Sequence, residues 1–250
     1  MISDASGETL TQLAAHLGFD ATNERPGVQP SFWKTGSFRL FASHLAEHKD
    51  YATELQSHLA NFNISAFVAH KDITPTREWQ DEIELALSTA DALVAILTPG
   101  FHDSSWTDQE VGFVMGRGLL AVAVRMGEEP YGFLGRLQAF QGEGKPTKAL
   151  AREMCEAFMR NKQTRKSMTY AVLNLFEQSS SFDEAKRAMG VLEGTAYWEP
   201  QFEERIKRAV KENGQIVHSF GVPERAHALI RKWVPAKGGD AIEMEDIPFE

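Results

Sequence analysis

Apolar and polar residues alternate along the chain in two different patterns between residues 38 and 140. Short apolar runs, namely FRLFASH, ISAFVAH, ALVAILT and LLAVAVRM, predict strands. The segments between them, DYATELQSHLANF, WQDEIELALSTA and WTDQEVGFVMGRG, carry apolar residues at helical spacing and predict helices. Two of the runs, ALVAILT and LLAVAVRM, are almost wholly apolar, which is typical of strands that are buried on both faces.

This alternation over residues 36–145 predicts an α/β domain with a parallel sheet and helices on both faces. Ligands of such sheets bind in the loops beyond the carboxyl ends of the strands. The loops concerned are 43–44, 71–78 and 98–105. The last of them leads into a helix that carries Trp106 and Glu110, which are expected to project from one helical face because they are four positions apart.

The pattern changes on either side of this domain. Residues 1–35 contain a short amphipathic helix and a loop rich in turn residues, which together predict an N-terminal arm. Residues 146–235 have helical periodicity without strand-like runs and predict a smaller all-helical region. Its candidate helices are 149–158, 168–176, 185–192, 202–210 and 225–233. The acidic tail, residues 236–250, is predicted to be disordered.

Composition excludes several classes of function. The formal net charge of the 250 residues is -9, so the surface as a whole does not attract nucleic acid. The single cysteine, Cys155, excludes an intramolecular disulfide and a thiolate zinc cluster, which fits a reducing cytoplasm. The N-terminus lacks the apolar core of a signal peptide, and no run is long enough for a transmembrane helix. We therefore expect a cytoplasmic protein without nucleic-acid or membrane partners.

Several familiar motifs are missing from the chain. The segment GEGKPT lacks the spacing of a phosphate-binding loop, and there is neither a GxGxxG fingerprint nor a GxSxG elbow. His44 and His48 are four residues apart, but no third metal ligand accompanies them. We therefore expect neither a metal ion nor a bound cofactor.

Four segments together resemble the TIR (Toll/interleukin-1 receptor) domain family. FRLFASHL resembles its first strand, and KDITPTREWQDEIELAL its BB loop and following helix in the bacterial form. ADALVAILTPGFHDSSWTDQEVGF resembles its next strand, loop and Trp-x-x-x-Glu helix, and PYGFLGRLQAF resembles the end of bacterial members. The segments occur in the family's order over residues 38–140. The resemblance implies the flavodoxin-like TIR fold, followed here by the smaller helical region.

The resemblance implies one of two functions. Enzymes of the family cleave the nicotinamide–ribose bond of NAD and release ADP-ribose or a cyclic isomer, and many bacterial members act in antiphage defence. In these enzymes the Glu of the Trp-x-x-x-Glu helix is catalytic, which corresponds to Glu110 here. Other members are non-catalytic modules that act by TIR–TIR self-association. Both functions imply self-association as a partner interaction, with NAD as a substrate in the first and a protein partner possible for the helical region.

The same resemblance implies a set of substrate-binding residues. Ser43 and His44 follow the first strand, where family members contact ribose or phosphate, and Asp72 lies in the BB loop that gates the site. Phe101 and Trp106 are candidates for contact with the ligand's rings. Each has a structural alternative: a helix cap for Ser43, a surface position for Asp72, and core packing for both aromatic residues.

The chemistry of NAD cleavage is compatible with one carboxylate. Loss of nicotinamide leaves an oxocarbenium-like ribosyl centre, which a carboxylate such as that of Glu110 can stabilise. The leaving group departs as a neutral pyridine and needs no general acid. The alternative for Glu110 is an ordinary acidic residue near a helix N-terminus, where the helix dipole favours negative charge.

The chain departs from the family's usual pattern at two places. Ala69 and His70 follow the second strand where many members have an acidic residue, and Thr76 follows Pro75 where many have Gly. These differences affect the geometry of the BB loop and the choice of substrate.

Overall fold

The computed structural model describes residues 30–68, 77–136 and 139–234, with the backbone alone for residues 77–79. Its sheet has the strand order β2-β1-β3-β4-β5, and every neighbouring pair is parallel. The strands are β1 (Phe38–Ser43), β2 (Ile64–Val68), β3 (Ala92–Leu97), β4 (Leu120–Arg125) and β5 (Phe140–Gln141). This is the flavodoxin-like order, so the prediction of a parallel α/β sheet is confirmed.

Helices connect the strands and then continue beyond the sheet. The connecting helices are α1 (Lys49–Leu59), α2 (Arg77–Thr89) and α3 (Ser105–Gly116). The C-terminal helices are α4 (Thr147–Arg160), α5 (Arg165–Glu177), α6 (Phe182–Leu192), α7 (Pro200–Glu212), α8 (Gly214–Val217) and α9 (Val222–Trp233). Short 3₁₀ turns occupy Ala46–His48, Ala60–Phe62, Phe101–Asp103 and Leu134–Arg136. No helix within these described ranges is both long and apolar enough to span a bilayer.

The two faces of the sheet are covered differently. One face, which includes Phe38 and Leu40, shares a hydrophobic core with α1 and the C-terminal helices. The other face, which includes Phe41 and Leu93, packs against α2 and α3. The alternation of side chains along β1 explains this division, because successive residues of a strand point to opposite faces.

The C-terminal helices agree with the helical periodicity of the sequence. All five candidate helices are present, as α4, α5, α6, α7 and α9, and α8 is an additional short helix. Asn63, which adopts a left-handed conformation with φ 57°, helps to attach them to the sheet. Its side-chain amide donates hydrogen bonds to the carbonyl oxygens of Gly36, before β1, and Ala171, on α5. The helix predicted near the N-terminus and the acidic tail lie outside the described residues.

The position of β1 determines where a ligand site can form. β1 lies between β2 and β3, and its last residue, Ser43, is in register with Ala95 of β3. The connection after β1 leads to β2 on one side of β1, whereas the connection after β3 leads to β4 on the opposite side of the sheet's centre. The carboxyl ends of β1 and β3 therefore form the topological switch point, where this type of sheet binds ligands.

Candidate functional site

A buried carboxylate lies beside the carboxyl end of β1. Glu110, in the second turn of α3, is only 4% exposed, and Ser43 is 1% exposed. The Ser43 hydroxyl donates a hydrogen bond to Glu110 Oε2 at 2.6 Å. The two residues are 67 positions apart in the chain, and the fold brings them together at the switch point.

The direction of α3 explains why this carboxylate points inward. β3 and β4 are parallel neighbours, so the helix between them runs back from the carboxyl edge of the sheet. Val111 and Val114 of α3 pack into the core on the face that also contains Phe41 of β1. Ser43 follows Phe41 by two positions and is therefore directed to the same face.

A second buried hydroxyl fixes the start of α3. Thr107 is fully buried, and its hydroxyl lies 2.7 Å from the carbonyl oxygen of Phe101 and 2.9 Å from that of Ser104. It therefore ties the first turn of the helix to the loop after β3, one turn before Glu110. Thr107 is not among the site residues that the sequence pattern predicted. The only signal was the hydroxyl-rich run SSWT, which is typical of a helix N-terminus.

His44 is buried next to Ser43 at this edge of the sheet. Its Nδ1 atom lies 2.9 Å from the carbonyl oxygen of Ala42. Because a carbonyl oxygen can only accept, this contact places a proton on Nδ1. The backbone contact thus determines which tautomer His44 presents near the carboxylate.

The remaining predicted site residues have different surroundings. Phe101 is fully buried in the core shared by the sheet, α2 and α3, so its ring is not available to a ligand in this structure. Trp106 is 38% exposed and does not share the burial of Glu110, although the two residues are four positions apart. Asp72 lies outside the described residues. The structure therefore brings Ser43, His44 and Glu110 to one edge of the sheet.

Two further features of this edge were not evident from the sequence. Thr98, directly after β3, is buried, and within the described ranges its hydroxyl has no hydrogen-bond partner. It follows an apolar strand, as Ser43 does, and the same positional argument could have identified it. The Tyr131 hydroxyl donates to Asp108 on α3 and its ring contacts His102 edge-on. Burial, followed by the bond to Asp108, raises the pKa of Tyr131, which therefore stays protonated as a donor.

The outward face of α3 combines aromatic residues with glycines. This face includes Trp106, Gly112, Phe113 and Gly116, all exposed to solvent, together with Ser105 and Gln109. A Cβ atom at either glycine would meet no other atom within 4 Å, so packing within the described structure does not require glycine there. Phe133, in the loop after β4, adds a ring that is 66% exposed.

Comparison with known proteins assigns a family to the part of the chain that forms this edge. Residues 40–155 match the family model described as the TIR domain. No curated protein matches the chain. The matched residues include the last four residues of β1, the whole of β2 to β5, and α3 with the carboxylate of Glu110. Across the described residues, no group of three or more His, Cys, Asp or Glu side chains is arranged to hold a metal ion.

Proposed function

Because residues 40–155 form a TIR domain, we propose that the protein cleaves the nicotinamide–ribose bond of NAD, with Glu110 as the catalytic carboxylate. The observation that carries this proposal is the burial of Glu110 against Ser43 at the switch point of the sheet. An acidic residue with only a surface role would extend into water. A buried carboxylate instead needs a reason to be there, because removing a charged group from water is costly. Buried carboxylates at ligand-binding edges are typical of functional sites.

The proposed reaction is a substitution at the anomeric carbon of the nicotinamide ribose. The bond between this carbon and the pyridinium nitrogen breaks, and its electron pair neutralises the nitrogen, so that nicotinamide leaves as a neutral molecule. The ribosyl centre becomes oxocarbenium-like, and the negative charge of Glu110 stabilises it while accepting hydrogen bonds from ribose hydroxyls. Attack by water and loss of its proton gives ADP-ribose, whereas attack by a nucleophile of the same ligand gives a cyclic isomer.

The burial of Glu110 also supports activation by assembly. A side chain that is 4% exposed can contact a sugar only when the groups that cover it move. TIR domains commonly associate with one another, and such an association can supply the energy for the rearrangement. We therefore expect low activity in the dilute monomer and a rise in specific activity with protein concentration. In this function the protein would take part in antiphage defence by consuming NAD.

The test of the catalytic role compares two isosteric variants. Glu110→Gln keeps the shape of the side chain but removes its charge, and it is expected to lower the rate of nicotinamide release by about 10²- to 10⁴-fold. Glu84→Gln, at an exposed position of α2, makes the same chemical change away from the site and should leave the rate unchanged. Both are assayed by chromatography of nicotinamide across a range of protein concentrations. Absence of turnover by the unmodified protein in every assembled state, or full activity of Glu110→Gln, would refute the proposal.

A second candidate function is a non-catalytic module that acts through TIR–TIR contacts. The exposed rings of Trp106 and Phe113 on α3 favour it, because they offer apolar area to another protein. In that case, Glu110→Gln would preserve self-association and biological activity, whereas Phe113→Ser would weaken both. Sedimentation of the two variants alongside the NAD assay separates the two functions.

A further inference from the structure

The hydrogen bond between Ser43 and Glu110 connects two elements that are attached to the sheet in different ways. Ser43 is the last residue of β1, which is hydrogen-bonded to a neighbouring strand on each side. Glu110 belongs to α3, which is held to the sheet by side-chain packing of Val111 and Val114. The position of the Ser43 hydroxyl is therefore fixed by the backbone of a central strand, and its hydrogen bond can fix the orientation of the carboxylate.

The chemistry of the two groups determines the direction of the bond. An ionised carboxylate can only accept hydrogen bonds, so the Ser43 hydroxyl donates its single proton to Oε2. While this bond exists, the same proton cannot be donated to a substrate. The carboxylate, in contrast, can accept about four hydrogen bonds, so the bond from Ser43 is compatible with further bonds from sugar hydroxyls.

We propose that Ser43 is a positioning residue that orients the carboxylate of Glu110 and favours its charged form, and that it does not donate a hydrogen bond to the substrate. This inference rests on the proposed function for its kinetic consequences. Burial favours the neutral form of a carboxyl group, and a hydrogen bond donated to the charged form opposes that effect. Ser43 thus maintains both the direction and the negative charge of the group that faces the developing positive charge.

Other titratable groups near α3 have to be considered in any pH measurement. His44 is buried beside Ser43, and its protonation would also favour the charged form of Glu110. Among side chains that the structure describes, the other titratable groups packed against α3 are partly or fully exposed: Arg39, Asp81, Glu82, Glu84, His102, Asp103, Arg125 and Tyr131. A change in the pH dependence of the rate could therefore come from one of these groups. The titration of Glu110 has to be observed directly as well.

Kinetics distinguish a positioning residue from a substrate ligand. For Ser43→Ala we expect kcat to fall by about 10- to 100-fold with KM changed less than about twofold, because the lost bond is to a charged group that acts in the transition state. The acid limb of the kcat profile should move to higher pH. Ser43→Cys, which keeps a weaker donor of similar size, should be intermediate. Ser65→Ala, on β2, removes a serine hydroxyl elsewhere in the sheet and should leave kcat unchanged. A rise in KM at constant kcat, or no change in either, would overturn the inference.

A second measurement does not depend on activity. In protein labelled with ¹³C at the glutamate carboxyl carbons, the resonance that Glu110→Gln removes belongs to Glu110. Its titration midpoint is expected to rise in Ser43→Ala, because a donor to the charged carboxylate is lost, and to rise less in Ser43→Cys. An unchanged midpoint would refute the role of Ser43. If the midpoint rises but the unmodified protein never releases nicotinamide, the proposed function fails while the contact's effect on Glu110 stands.

Discussion

The hydroxyl of Thr107 offers a direct test of how the start of α3 is held. Thr107→Val replaces a hydroxyl by a methyl group of similar size, so the packing volume is preserved and the hydrogen bond alone is lost. The two carbonyl oxygens near the hydroxyl keep long backbone hydrogen bonds: Ser104 N lies 3.3 Å from the oxygen of Phe101, and Asp108 N lies 3.5 Å from that of Ser104. The variant therefore leaves one buried and one partly buried acceptor weakly satisfied.

These contacts determine the expected loss in the free energy of unfolding. A neutral hydrogen bond contributes about 0.5–1.5 kcal/mol to stability, and an unsatisfied buried acceptor costs about 1–3 kcal/mol. Because each carbonyl oxygen retains a long partner, the free energy of unfolding should fall by about 1–2 kcal/mol. For a chain of this size, this corresponds to a decrease in Tm of roughly 2–8 °C.

Urea unfolding followed by circular dichroism measures this change, with thermal unfolding as a second measurement. Thr53→Val, at an exposed position of α1, makes the same substitution without burial and should change stability by less than about 0.5 kcal/mol. If Thr107→Val is as stable as the unmodified protein, the hydroxyl does not hold the loop to the helix, and the account of how Glu110 is positioned loses this support.

Two other sites give further predictions. Hydrogen bonds from Tyr170 and Tyr197 lower the pKa of Glu199 to about 2 from its ordinary value of 4.5. This contribution to stability is present above pH 4.5 and is lost as the pH falls toward 2. The urea midpoint of unfolding should therefore fall more steeply over that range in the unmodified protein than in Glu199→Gln. The same dependence of the midpoint on pH in both proteins would contradict this. Gly142→Ala would place a Cβ atom 2.4 Å from Val124 Cγ1, and we expect a loss of about 1–3 kcal/mol in urea unfolding, which an unchanged midpoint would exclude.

Much of the fold could be predicted because the sheet is buried on both faces. The run ALVAIL of β3 is wholly buried, and a strand in that position must be apolar along its whole length. The order of strands and helices then restricts the connections, since parallel crossovers of one hand are strongly favoured. The helical periodicity of residues 146–234 likewise predicted the C-terminal helices.

The contacts of the candidate site were harder to predict. Sequence spacing places Glu110 on a helix, but it does not show that the carboxylate accepts a hydrogen bond from Ser43, since that contact depends on the strand order. For Phe101, ligand contact and core packing were both open from the sequence. The residue begins a 3₁₀ turn after β3, and its ring is fully buried in the core.

The difference in burial between Trp106 and Glu110 also has a geometric cause. Residues four apart on a helix lie on nearly the same side, which predicted similar surroundings for both. However, the buried residues of α3 are Thr107, Glu110, Val111 and Val114, and at 3.6 residues per turn Trp106 lies about 90° around the helix from the centre of this set. Glu110 lies about 50° from that centre, so position around the helix axis decides which of the two side chains is buried.

The two glycines on the outward face of α3 have a consequence for the order in which the domain acquires its structure. A glycine inside a helix costs about 1 kcal/mol relative to alanine, and neither Gly112 nor Gly116 gains packing in return within the described structure. The segment 105–116 therefore has little tendency to form a helix by itself, and its helix depends on packing against the completed sheet. During folding the carboxylate of Glu110 would reach its place late, and in the native state the same segment would be among the earliest to unwind locally.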